Sequence, residues 1–242
     1  MNSGEFFSRS EALLGEAAMK RLADARVLVV GVGGVGSWCA EALVRTGVGH
    51  ITLVDDDVVA ESNVNRQCPA TVKTIGRAKV EAMAERLKEI NSACEVEARN
   101  SRFSSAASIS SISGFSIVVD AIDSVDCKAE LILGATEAGV PLVSSMGAAL
   151  RLDPTKVKVT RFEKVEGDGL ARALRQRFKK LERFPKAKFS CVWSTEQVHG
   201  NQTLKHSNTQ TISKGSIMPV TATFGMCLAS EAIRILTKGE MR

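Results

Sequence analysis

A few polar positions in the first half of the chain could together handle a nucleotide. Gly31-Val32-Gly33-Gly34-Val35-Gly36 follows a short apolar run and opens a helix-compatible stretch. In a Gly-x-Gly-x-x-Gly loop so placed, backbone N–H groups and the positive end of the helix bind phosphate, while the glycines let it approach. Asp55 stands 19 residues after Gly36, at the end of the next apolar run, where a carboxylate can accept hydrogen bonds from both ribose hydroxyls. Asn63, Asn65 and Arg66, then Lys79, come next in the chain. Arg66 suits a bidentate grip on a triphosphate, and Lys79 a point charge. Asp123, at the end of another apolar run, is suited to holding Mg2+ against phosphate oxygens. The glycine loop and Asp55 alone would fit an NAD oxidoreductase, but that reading leaves Arg66 and Lys79 without a role.

These residues need a scaffold that gathers strand ends, and the patterning predicts one. Arg26–Val30 and His50–Val54 read as buried strands flanking a helix over Ser37–Thr46, a βαβ unit. The alternation continues with a helix over Ala78–Ile90 and strands at Cys94–Arg99 and Ser116–Asp120. A helix over Lys128–Ala138 and a strand at Val140–Ser144 complete it. The fold class expected is α/β: a Rossmann-like, doubly wound, mostly parallel sheet, in which ligands sit beyond the carboxyl ends of the strands. The N-terminal segment up to Ala25 reads as one short amphipathic helix. After Gly147 the texture changes to an amphipathic strand over Val157–Phe162, a basic helix over Leu170–Phe184, a polar loop over Glu196–Ser216 and a closing helix over Pro219–Leu236. A single domain over 1–242 is expected, with 1–150 as nucleotide-binding core and 151–242 as a substrate-side segment.

Composition narrows the classes. With 242 residues, 44% hydrophobic and 24% charged, the chain has ordinary globular character, which excludes a disordered tail or a fibrous repeat. No apolar stretch has a membrane helix's length, and Met1–Ser10 has no basic region leading into an apolar run, so a soluble cytoplasmic protein is expected. Cys39, Cys68, Cys94, Cys127, Cys191 and Cys227 are scattered without any CxxC pair, so neither a zinc ribbon nor a local disulfide framework is encoded. The net charge of +5 is mild, but residues 151–190 carry 13 Lys and Arg against 5 Asp and Glu. That surplus suits a polyanion such as RNA, and equally a solvated helix face.

The motifs in order, Gly31–Gly36, Leu53-Val54-Asp55-Asp56-Asp57, Asn63–Gln67, Gly76–Lys79 and Asp120–Asp123, resemble those of the ubiquitin-activating-type adenylyltransferases. Val80 stands where that family's pattern has Ala. The resemblance implies attack of a carboxylate on the α-phosphate of ATP, with Mg2+, giving an acyl-adenylate and pyrophosphate. It implies nucleotide contacts at Gly31, Gly33, Gly34, Gly36, Asp55, Asp57, Asn63, Asn65, Arg66, Lys79, Asp123 and Ser124, with the metal on Asp123. It also implies a homodimer in which an N-terminal arginine reaches the partner's site. Ala12-Leu13-Leu14-Gly15 lacks the adjacent arginine, and Arg9 is the nearest candidate.

Within the family, Gly31–Trp38, Asp120–Val125, Leu152–Val157, Cys191–Glu196 and Val220–Gly225 look most like the branch that dehydrates threonylcarbamoyladenosine in tRNA. The resemblance then implies that the threonyl carboxylate is adenylated and that the neighbouring carbamoyl group closes the ring and expels AMP. The alternatives are an activator of a ubiquitin-like sulfur carrier and a non-catalytic nucleotide-binding member. A sulfurtransferase or sulfur-acceptor partner is a further possibility of the resemblance. Cys191 is expected to be a structural thiol.

Overall fold

The computed structural model describes residues 5–103, 111–197, 203–205 and 212–237. Among them are seven α-helices, which we number in chain order. They are α1 (Ser8–Leu14), α2 (Glu16–Asp24), α3 (Gly36–Thr46), α4 (Lys79–Ile90), α5 (Val125–Glu137), α6 (Gly169–Leu181) and α7 (Met218–Leu236). The strands are β1 (Arg26–Val30), β2 (His50–Asp55), β3 (Glu95–Asn100), β4 (Ile117–Asp120), β5 (Leu142–Ser145), β6 (Val157–Arg161), β7 (Ser190–Ser194), β8 (Thr203–Lys205) and β9 (Ile212–Lys214).

Seven strands form one sheet in the order β3-β2-β1-β4-β5-β7-β6. All neighbours run parallel except β6, which is antiparallel to β7. β1 is central because its residues are apolar on both faces. Val27 and Val29 join one core with α3, α4 and α7, whereas Leu28 and Val30 join the other with α5 and α6. A strand buried on both sides reads as a continuous apolar run, and that is why it was visible in the sequence. The edge strands β3 and β6 carry Glu95, Glu97, Arg99, Lys158 and Arg161, charges that discourage pairing with another chain. The doubly wound parallel class expected from sequence is the observed one. Among the described residues, no helix is long and apolar enough to cross a membrane.

Three local expectations need correction. The N-terminal helix is two helices, because Gly15 adopts φ 84° between α1 and α2 and breaks the ladder. β7 was not anticipated, yet it is fully buried between β5 and β6. The loop expected over Glu196–Ser216 lies partly outside the described residues. Within it β8 and β9 pair as an antiparallel ribbon, in which backbone groups satisfy one another without an apolar stripe to announce them.

The strand order reverses between β1 and β4: the chain winds outward from β1 through β2 to β3, then returns to place β4 on β1's other side. Loops on either side of such a reversal diverge and leave a crevice at the strands' carboxyl ends.

Candidate active site

The crevice is a cleft of about 1050 Å3 whose lining includes Gly31, Gly33, Gly34, Asp55, Asp57, Asn63, Arg66, Lys79, Asp123 and Ser124. The sequence-predicted residues therefore converge, with three qualifications. Gly36 is part of the turn rather than the lining: a Cβ there would sit 1.8 Å from the Gly31 carbonyl oxygen. Asn65 is a strut, donating from Nδ2 to the Ser216 carbonyl at 2.9 Å and accepting from Arg66 Nη1 at 2.9 Å. Arg9 is exposed on α1 and does not line its own chain's cleft.

The glycine loop and Asp55 are one unit. Gly31 holds φ 91° with its backbone against Ala121, so that a Cβ would lie 2.6 Å from the Ala121 oxygen. Asp55 Oδ2 accepts the Val32 amide at 2.6 Å and Oδ1 accepts the Asp57 amide at 2.9 Å. Burial raises the Asp55 carboxyl above the ordinary aspartate range, while the Val32 amide, the Lys79 charge and the Asp57 amide oppose that rise. Each oxygen keeps a further lone pair for a ribose hydroxyl.

Lys79 opens α4 and is buried, its Nζ 2.6 Å from Asp57 Oδ2. Arg66 donates from Nη1 to the Ser62 carbonyl at 2.8 Å as well as to Asn65, and its pKa is lowered by burial. The loop carrying it is clamped by α3. Trp38 Nε1 donates to the Arg66 carbonyl at 2.9 Å, and Ser37 Oγ donates to the Gly33 carbonyl at 2.6 Å while accepting the Cys68 amide at 3.1 Å. Cys68 Sγ donates to Glu41 Oε2 at 2.9 Å, which raises the thiol, already lifted by burial, to about 12. Burial also acts to raise Glu41, but hydrogen bonds from Arg86, Cys68 and Arg45 outweigh it and hold the carboxyl at about 2.

Asp123 is exposed at the cleft, beyond β4, while Asp120 three residues earlier is fully buried. Asp120 Oδ2 takes Lys128 Nζ at 2.8 Å and Ser144 Oγ at 2.6 Å, and Oδ1 takes the Ile122 amide at 3.1 Å. Lys128 Nζ also donates to the Ile122 carbonyl at 2.9 Å, so the turn that presents Asp123 is pinned from below. Ser124 is the N-cap residue of α5 without a side-chain capping bond, which leaves its hydroxyl available. Among the described residues the only cluster of three potential metal ligands is Asp55, Asp56 and Asp57, and Asp57 is already engaged by Lys79. The carboxylate at Asp123 fits a metal held against phosphates better, because it is exposed at the cleft and takes no salt bridge among the described residues.

Several participants were not singled out from sequence. Gln67 lines the cleft with a buried Oε1 that has no partner among the described residues. Ser37 and Trp38 follow the glycine loop directly, and their clamp could have been suspected from that adjacency alone. Lys128 sits in an apolar helix, where a lone cation signals a buried partner. Asp168 before the Gly169 helix start is an N-cap pattern, and its Oδ1 indeed accepts the Ala171 amide at 2.9 Å. Cys191 is fully buried in β7 and burial pushes its thiol up, as suits a structural residue.

A glycine cradle at the switch point, a ribose-level acid and two cations beside a free carboxylate define a nucleotide-binding, adenylate-forming type of protein. The chain belongs to the ThiF family, which it matches over residues 7–242. It is 40% identical to the tRNA threonylcarbamoyladenosine dehydratase of Escherichia coli (strain K12), over 94% of this chain and 92% of that one. It is also similar to crystal structures of E. coli tRNA N6-threonylcarbamoyladenosine dehydratase. The complex with AMP gives a TM-score of 0.87 at 40% identity, covering 98% of this chain and 96% of that one. The complex with ATP gives 0.86 at 39%, with the same coverage.

Proposed function

We propose that this chain is an ATP-dependent dehydratase that adenylates the threonyl carboxylate of threonylcarbamoyladenosine in tRNA and cyclises it. The observation that carries the reading is the convergence of Gly33, Gly34, Asp55, Arg66, Lys79 and Asp123 on one cleft, in a chain that matches dehydratases along nearly its whole length. A carboxylate cannot expel oxide during ring closure, so it must first become a mixed anhydride. The substrate carboxylate attacks the α-phosphorus of ATP, the bond to the bridging oxygen breaks, and pyrophosphate leaves. The carbamoyl group then attacks the activated carbonyl, loses its proton and expels AMP, so that the substrate has lost one water.

In this reading the glycine loop seats the phosphates and Asp55 holds the ribose. Arg66 and Lys79 exchange Asn65 and Asp57 for phosphate oxygens as charge builds on the α-phosphorus. Asp123, with Ser124 beside it, would hold Mg2+, whose positive charge favours departure of pyrophosphate. Asn63 supports the loop, accepting the Ala60 amide at Oδ1 at 3.1 Å. The chain acts as a homodimer in the cytoplasm, with Arg9 on the exposed face of α1 offered to a partner's cleft. We assign tRNA contact to the basic residues of 151–190 left exposed with no side-chain partner among the described residues: Lys158, Lys164, Arg172, Lys179, Lys180, Lys186 and Lys188. Arg175, Arg177 and Arg183 are not counted, being committed to the Phe162 and Val165 carbonyls, Asp126, and Glu130 with Glu137. The chemistry consumes no sulfur, so a sulfurtransferase enters only as a docking partner.

The test is nucleoside analysis of tRNA bearing threonylcarbamoyladenosine after incubation with protein, ATP and Mg2+. Loss of one water with stoichiometric AMP is expected. Pyrophosphate exchange driven by a ubiquitin-like carrier, with the tRNA unchanged, would replace this reading with carrier activation.

A further inference from the structure

The cleft has a second wall, built by the segment after β5. The Met146 amide donates to the Val192 carbonyl at 2.8 Å, the Gly147 amide to Asp168 Oδ2 at 3.2 Å and the Leu150 amide to the Gly215 carbonyl at 2.8 Å. Leu150 is held at φ 64°, a left-handed conformation that is strained for a non-glycine residue and that persists only where neighbours enforce it. The segment so fixed delivers Arg151 into the lining of the cleft.

Arg151 is a buried cation with two nitrogens that have no hydrogen-bond partner among the described residues. Its side chain is 4% exposed, and Nε and Nη1 are fully shielded with no partner among the described residues. The carboxylate that meets it among the described residues, Asp168, stands 3.9 Å from Nη2, beyond hydrogen-bond range, and already accepts the Gly147 and Ala171 amides. A guanidinium taken out of water and left unbonded is strongly disfavoured unless an anion meets it. Beside it lie Gly169 and Leu170, the first residues of α6, at the end of a 13-residue helix where N–H groups lack intrahelical partners.

The sheet order says which anion. Arg66 and Lys79 follow β2, the glycine loop follows β1, Asp123 follows β4 and Arg151 follows β5. Strands stand about 4.8 Å apart, so the Arg151 wall is roughly 10 Å from the glycine loop, on the far side of Asp123 from the triphosphate cations. We propose that Arg151, backed by Asp168 and the amino end of α6, is the subsite that receives the carboxylate of the acyl substrate and orients it toward the α-phosphorus. This rests on the adenylation reading above.

The test compares Arg151→Met and Arg151→Lys with the unmodified chain, measuring Kd and KM for tRNA with and without the threonylcarbamoyl group, and KM for ATP. Arg151→Met is expected to weaken modified tRNA by about 10- to 100-fold, the worth of a charge-assisted pair. Unmodified tRNA and ATP should be unaffected, so discrimination between the two tRNAs collapses, and Arg151→Lys should restore part of it. Equal weakening of both tRNAs would overturn the proposal in favour of an RNA phosphate at Arg151. Undiminished discrimination in a chain that still dehydrates would also overturn it, leaving the functional reading intact. Failure of the unmodified chain to dehydrate would remove both. If Arg151→Met does not fold, Arg151→Lys decides alone: unchanged discrimination and unchanged KM there would count against a bidentate carboxylate grip.

Discussion

The two walls of the cleft treat positive charge in opposite ways. On the nucleotide wall Lys79 rests on Asp57, and Arg66 rests on the Ser62 carbonyl and Asn65, so each cation has a protein partner that it can exchange for phosphate. On the other wall Arg151 is more deeply buried than Arg66 and, among the described residues, holds no hydrogen bond at two of its nitrogens. Between them Asp120 and Lys128 are wholly buried and bonded to each other and to their neighbours. A prepaired cation gains only the difference between two partners when ligand arrives. An unpaired buried one recovers its lost solvation, and so makes a stronger demand on what enters. On the proposed function, the walls would divide affinity from selectivity: the first would accommodate a triphosphate, and the second would admit only a group able to neutralise it.

The contrast is open to four tests. The greatest expected effect is from Arg66→Met and Lys79→Met, each of which should slow pyrophosphate release by about 10^3-fold, some 4 kcal/mol. If Lys79→Met spared turnover, Lys79 would be only Asp57's partner and the contrast between the walls would fail. Next, Lys128→Met strands Asp120 without its countercharge and should lower unfolding stability by about 3–5 kcal/mol in denaturant titration. Adding Asp120→Asn should recover much of that, which marks the pair as support rather than ligand.

A smaller effect is expected at Glu41, whose carboxyl is held at about 2, below its ordinary 4.5. A depressed acid stabilises the fold above its unfolded pKa and loses that contribution as pH falls through the folded one. Stability should therefore decline from pH about 4.5 toward 2, and Glu41→Gln should flatten this stretch while costing on the order of 2–3 kcal/mol at neutral pH. A pH profile unchanged in Glu41→Gln would mean that α3 does not hold the Arg66 loop through this network. The smallest is Trp38→Phe, which removes one neutral hydrogen bond to the Arg66 carbonyl and should raise KM for ATP by about 5-fold, or about 1 kcal/mol.

Strand identity was legible wherever burial on both faces made an uninterrupted apolar run, as in β1, β2 and β4. It failed at β7, where Ser190 and Ser194 bracket a short run and only pairing with β5 and β6 defines the strand. Nucleotide-side residues were legible because the glycine spacing and the strand-end acids are local. Arg151 and Asp168 were not: they are 17 positions apart and meet only through the tertiary path of the segment after β5. The basic surplus of 151–190 was legible as a number and misleading as a free charge, since Arg175, Arg177 and Arg183 already have partners within the chain, those of Arg177 and Arg183 at its surface. Which charges remain available depends on partners that composition does not reveal.

The packing of α7 on α3 also bears on how the protein is made. Cys39, Ala40, Leu43 and Val44 of α3 share a core with Val220, Phe224, Leu228 and Ala232 of α7. On the ribosome α3 emerges long before that cover: about 170 residues separate the end of one helix from the start of the other, on the order of 10–30 s of synthesis. During that interval the helix that clamps the glycine and Arg66 loops presents an apolar flank to solvent, a landing place for a chaperone. A nascent chain is therefore expected to complete its nucleotide grip only once α7 has been made, and a product cut short before α7 would carry the signature motifs without the cover that α3 packs against.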